Sequence, residues 1–200
     1  MDTPSYLRDE GKVAVAKFIK EKCIYKPEQT YMHGKAPGTR YQSQYYMAEL
    51  LYNPKMLEYV GENFFDEVHH IYGHEYQIAA GAWSGIPLLS FLPYYIHQKH
   101  GYHINAFYVR DCRKSYGRNN LIEGTPLKRL PTIVVGDICN STDAFWHART
   151  ACYYEQIPVA EHIYAILDKY SKQDQCGLDR VALDAKTISM LDRDDLYDIG

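Results

Sequence analysis

Thr132-Ile133-Val134-Val135-Gly136-Asp137-Ile138-Cys139-Asn140-Ser141-Thr142-Asp143-Ala144 is the stretch on which the reading of this chain turns. Its first four residues are β-branched, which predicts a buried strand. Gly136-Asp137 ends that run, and polar residues follow. From Thr142 to Gln156 the pattern becomes helical, with Ala144, Ala148 and Ala151 on one side. A strand that passes through a polar turn into a helix puts Asp137 at the carboxyl edge of a sheet. It also turns the backbone N–H groups of residues 140–142 into a natural anion site.

Working outward, the same alternation recurs. Upstream, Tyr76–Ala80 predicts a short buried strand closed by Gly81. After Gly85-Ile86-Pro87 comes a helix from about Leu88 to His100, then a strand over 104–109. The polar residues 111–129 predict a long mobile loop. Downstream, Val159–Leu167 reads as another strand, ending at Asp168-Lys169. Before all of these, residues 4–23 predict an opening helix with Val15, Phe18, Ile19 and Cys23 at helical spacing. A Gly/Pro-rich loop follows at His33–Gly38, then a helical stretch over 42–67 interrupted at Asn53-Pro54. The tail from Gly177 carries no catalytic pattern and predicts packing, as a terminal helix or strand. Strands alternating with helices imply right-handed crossovers, hence a three-layer α/β domain around a mostly parallel sheet. Ligands in such folds bind beyond the carboxyl ends of the strands, here the turns at 81–85, 136–143 and 168–169.

Composition sets outer bounds. The 200 residues are enough for a single domain, with 46% hydrophobic and 24% charged residues. A net charge of −3 gives no general attraction for nucleic acid or an anionic membrane. No stretch has the length of a membrane span, and the N-terminus lacks a signal-peptide pattern. The five cysteines (Cys23, Cys112, Cys139, Cys152 and Cys176) are scattered, which argues for reduced thiols and a cytoplasmic protein. Tyrosine is abundant, at 20 residues, and fits positions buried at one end and wet at the other. His69 and His74 stand at i and i+5, and His70 and His74 at i and i+4. With no third ligand evident, surface histidines near a helix end are the plainer reading than a metal site.

Taken together, the motifs resemble those of the type I phosphoribosyltransferases, most nearly the orotate enzymes. Ile133–Ala144 is similar to the phosphoribosyl diphosphate motif of that family. Tyr108-Val109-Arg110-Asp111-Cys112-Arg113-Lys114-Ser115-Tyr116-Gly117, with Leu121-Ile122-Glu123-Gly124, resembles its mobile catalytic loop. Ala80–Pro87 is similar to the diphosphate-binding loop, and Ile166-Leu167-Asp168-Lys169 to the strand end that faces the base. His33–Pro37 resembles the N-terminal hood. The likeness runs collinearly over residues 10–170 and implies one domain over 1–200, with 1–45 partly hood and 177–200 a C-terminal extension.

The resemblance implies catalytic roles for Asp137, Arg110 and Lys114. It implies diphosphate and phosphate contacts at Ala82, Trp83, Ser84, Gly85, Arg113, Asn140, Ser141, Thr142, Asp143 and Ala144, and base contacts at Lys169 and Lys35. It further implies phosphoribosyl diphosphate and a nitrogenous base, such as the pyrimidine orotate, as substrates. Mg²⁺ would be carried by the diphosphate rather than by a protein cage, and the protein would be a homodimer. Chemically, loop cations can neutralise a departing diphosphate, and a closing loop excludes water.

Each assignment has a plainer counterpart: Asp137 as a turn cap, Asp143 as a first-turn acid, and 110–114 as a solvated basic loop. The chain also departs from the family pattern. Gly136 replaces an acid, Asp111 and Ser84 replace lysines, Tyr116 replaces a histidine, Asp143 replaces a small neutral residue, and Lys169 replaces an arginine. Lysine keeps charge but loses the planar two-pronged grip on a carboxylate. Two alternatives therefore stand beside the transferase. One is a binding or regulatory protein that keeps the fold, the other a ribosyl-transferring enzyme that uses no 5′-phosphate.

Overall fold

The computed structural model describes residues 5–25, 32–33, 40–41, 44–81, 83–112, 120–139, 143–169 and 185–198. Side chains are described at 9–25, 44–81, 83–112, 120–139, 143–169 and 185–196. In chain order the elements begin with α1 (Ser5–Phe18), a π-helical turn (Ile19–Cys23), and four two-residue strands. These are β1 (Ile24–Tyr25), β2 (Met32–His33), β3 (Arg40–Tyr41) and β4 (Gln44–Tyr45). Then come α2 (Ala48–Leu51), α3 (Pro54–Tyr72), β5 (Gln77–Ala80), a 3₁₀ turn (Trp83–Gly85), α4 (Ile86–His100), β6 (Asn105–Val109) and β7 (Ile122–Glu123). The chain continues through β8 (Thr132–Cys139), α5 (Asp143–Tyr154), β9 (Val159–Asp168), β10 (Lys186–Asp192) and α6 (Arg193–Asp198).

One six-stranded sheet, ordered β10-β9-β8-β5-β6-β7, forms the centre. Every pairing in it is parallel except β6 with β7. Alternate side chains of the central strands divide between two cores, as a period of two requires. Ile78, Ala80, Ile133, Val135, Tyr164 and Ile166 join the face covered by α1, α3 and α4. Ala79, Val134, Ile163 and Ala165 join the opposite face, under Phe145, Ala148, Ala151 and Cys152 of α5. Helices on both faces explain why these strands read as nearly continuous apolar runs.

The largest helix, α3, starts where Asn53-Pro54 predicts. Asn53 Oδ1 accepts from the Met56 N–H at 3.2 Å, and proline occupies the first turn. Met56, Leu57, Val60, Phe64 and Val68 form its buried stripe.

Several boundaries differ from the sequence-based expectation. The opening helix ends as an α-helix at Phe18 and continues as the π-turn. The strand expected to stop at Val135 runs on to Cys139, because the long β9 offers partners throughout: Gly136 beside Ala165, Ile138 beside Leu167, Cys139 beside Asp168. Cross-strand pairing overrides the local turn signal of Gly136-Asp137. The tail packs as expected, as β10 alongside β9, with Met190 and Leu191 buried, followed by α6. The short β7 also emerges from the region read as irregular.

At the amino edge of the sheet a buried amide anchors the segment leading into β8. Gln77 Nε2 donates to the carbonyls of Leu127 (2.9 Å) and Leu130 (3.1 Å) and to Thr132 Oγ1 (3.1 Å). Its Oε1 accepts from Asn105 Nδ2 (2.9 Å) and the Leu127 N–H (2.8 Å). Gln77 is fully buried, and this set of partners is what makes that burial tolerable.

Candidate functional site

Chain direction across the sheet reverses between β5 and β8. From β5 the chain moves to β6 on one side, then returns to build β8, β9 and β10 on the other. Such a switch point opens a crevice at the carboxyl ends of the strands. The turn after β5 and the end of β8 meet there.

Ser84 Oγ donates to Asp137 Oδ1 at 3.0 Å, and the Ile138 N–H donates to the same oxygen at 2.9 Å. Asp137 lies on the α4 side of β8, one residue beyond Gly136, which faces α5. Burial pushes the Asp137 carboxyl above the ordinary carboxylate range, and the bonds from Ser84 and Ile138 partly offset that push. Ser84 and the Ile138 N–H thus fix the orientation of the carboxyl through Oδ1.

Close packing holds this turn in place. A Cβ on Gly81 would stand 2.4 Å from the Ala144 carbonyl oxygen and 2.8 Å from Ala148 Cβ. One on Gly85 would stand 2.7 Å from Ala80 Cβ and 3.2 Å from the Val135 carbonyl oxygen. The turn therefore folds back on β5, touches β8, and abuts the first turn of α5. Trp83 projects from it, 68% exposed. Asp143 opens α5 and is exposed, and Ala144 meets the turn through its carbonyl.

Gly136 has a counterpart on α5. A Cβ there would lie 2.6 Å from Phe145 Cζ, and that ring is buried. An apolar ring covers the position where the family pattern carries its other acid.

Arg110 follows β6 at the same edge. Its Nη1 pairs with Glu123 Oε1 at 3.3 Å, and its carbonyl oxygen lies 2.8 Å from His147 Nε2 of α5. Lys169 follows β9. Its backbone N–H donates to the Cys139 carbonyl (3.0 Å), and its ammonium sits 4.8 Å from the Tyr45 ring centroid. Burial lowers its pKa. The sheet thus brings Ser84, Asp137, Arg110, Asp143 and Lys169 to one edge. Ala82, Arg113, Lys114, Asn140, Ser141, Thr142 and Lys35 lie outside the described residues.

Two site partners escaped the sequence reading. Glu123 stands in the stretch that resembles the catalytic loop, but nothing local marks it as the partner of Arg110. Tyr45 carried no signal, because its contact with Lys169 joins residues far apart in the chain.

Among the described residues no group of three or more His, Cys, Asp or Glu side chains could hold a metal ion. Mg²⁺ keeps several waters and binds through one or two carboxylates plus substrate phosphates. No described helix is long and apolar enough to cross a membrane.

No protein-family model matches the chain, and no curated protein does. Solved structures do. Orotate phosphoribosyltransferase of Mycobacterium tuberculosis aligns with a TM-score of 0.71 at 16% identity, covering 93% of this chain and 98% of that one. A phosphoribosyltransferase from Corynebacterium diphtheriae gives 0.70 at 18%, covering 94% and 99%. Adenine phosphoribosyltransferase of Saccharomyces cerevisiae gives 0.60 at 15%, covering 89% and 99%. The parallel sheet, its switch point and these alignments agree: the chain has the fold of the type I phosphoribosyltransferases.

Proposed function

We propose that this protein is a phosphoribosyltransferase-like enzyme, moving a phosphoribosyl group between phosphoribosyl diphosphate and a nitrogenous base. The observation that carries the reading is the Ser84–Asp137 contact at the switch point, with Arg110 and Lys169 along the same edge. Asp137 would receive a ribose hydroxyl and stabilise positive charge growing on the ring as the C1–diphosphate bond breaks. Arg110 and Lys114 would neutralise the departing diphosphate. Mg²⁺, bound to the diphosphate oxygens, supplies further charge neutralisation when present. At the far end Lys169, beside Tyr45, suits a flat, anionic base, and a pyrimidine carboxylate such as orotate is the first candidate. Scattered thiols suit a reducing cytoplasm, and the active form would be a homodimer.

Calorimetry with phosphoribosyl diphosphate and Mg²⁺, paired with an assay of base-dependent diphosphate release, tests the reading. Binding with release supports it. Removing Arg110 and Lys114 together should abolish release; unchanged release would sink the assignment of that loop.

The packing of Phe145 over Gly136 favours a second reading, a ligand-binding protein that keeps the fold without turnover. Binding with no release for any base would select it. Recognition of an unphosphorylated nucleoside alone would instead point to ribosyl transfer without a 5′-phosphate, as Asp143 at the start of α5 would suit.

A further inference from the structure

The amino edge of the sheet, opposite the switch point, holds a cavity of about 430 Å³. That volume is in the range of small-molecule sites. Its walls include His74, Glu75, His103, Asn105 and Arg129. The floor is rigid, because Asn105, Leu127 and Leu130 are all tied to the buried Gln77.

Both wall histidines are backed by a second histidine. His74 packs on His69 at 4.4 Å between ring centroids, and its other neighbour is Tyr102 at 3.6 Å. His103 stacks on His97 at 4.3 Å with planes 24° apart. Stacking fixes each imidazole's plane, so the ring edges of His74 and His103 are held in place although both residues are exposed.

We propose that this cavity is a proton-coupled binding site for a small organic molecule carrying a phosphate group, held by Arg129, His74 and His103. It is independent of the reading given to the opposite edge. Arg129 supplies the permanent charge, and the ring N–H groups of His74 and His103 offer donors to a phosphate placed between them. The groups facing these rings are His69 from α3, Glu75 from the turn before β5, His97 from α4, Tyr102 from the turn before β6, and Arg129. His100, stacked on Phe65 and 3.7 Å from Glu62, stands beside them. Glu75 opposes an anion and so sets the affinity. Burial and the neighbouring His69 lower the His74 pKa, and a bound anion opposes that shift.

Sulfate is the probe of choice, because its charge is constant over the range needed. The imidazole Cε1–H signals of the full chain are followed by NMR during sulfate titration at pH 7.5 and 6.0. His74 and His103 signals should move saturably, with the midpoint falling by about fivefold or more at the lower pH. Arg129→Ala should remove saturation, and Glu75→Gln should lower the midpoint at both pH values. Saturation unchanged in Arg129→Ala, or no saturable shift at His74 and His103 at either pH, would overturn the proposal.

Discussion

Asp137, the acid proposed for the site, is a residue whose burial works against the fold. Burial raises its carboxyl pKa, so the native state binds that proton more tightly than the unfolded chain does. For a raised carboxyl pKa, the associated stability is fully present below the unfolded value of about 3.9 and is lost as pH rises through the folded value. Asparagine keeps an acceptor for Ser84 and Ile138 without that loss. Asp137→Asn should therefore melt higher than the parent at pH 7, with the difference closing near pH 4, while diphosphate release disappears. A melting difference constant across that range would refute the assignment. Gly136 answers to its neighbour instead. Gly136→Asp should cost about 1–3 kcal/mol by crowding Phe145. Combined with Phe145→Ala, the loss should fall short of the summed single losses by about 1 kcal/mol or more in denaturant unfolding.

At the scale of elements, the junction of β5, its turn and α5 is where position is set. Gly81 is needed for close approach, not for an unusual backbone angle. A methyl there meets the Ala144 carbonyl and Ala148, both on α5. Gly81→Ala should push the start of α5 off the sheet and lower stability by about 1–3 kcal/mol. In hydrogen exchange the loss of protection should concentrate at residues 143–148. Protection unchanged there would show that the junction yields without moving the helix. Helix starts such as Asn53-Pro54 were legible because a cap and a proline act locally. The length of β8 was not, because its last residues are strand only through their pairing with β9.

The whole molecule is tied together across the sheet by the Gln77 amide, whose partners come from 28 to 55 residues away in sequence. Gln77→Leu would leave the Leu127 N–H, Asn105 Nδ2 and neighbouring carbonyls short of partners. We expect a loss of about 2–4 kcal/mol, read as a lower urea midpoint with an unchanged slope. A midpoint unmoved by the change would show that water replaces the amide. The edge formed by residues 84, 110, 137 and 169 exists only at this scale, since its members follow or lie near the ends of four different strands.

Sequence alone was sufficient for the three-layer α/β architecture and the mostly parallel sheet. Alternating apolar runs and punctuating glycines encode those through short-range periodicity and backbone sterics. Tertiary structure alone decided that Ser84 engages Asp137, that Phe145 covers Gly136, that Glu123 holds Arg110, and that Tyr45 meets Lys169. Each of those contacts joins side chains whose separation along the chain carries no local signal. Only the packing of one layer on another brings them within reach.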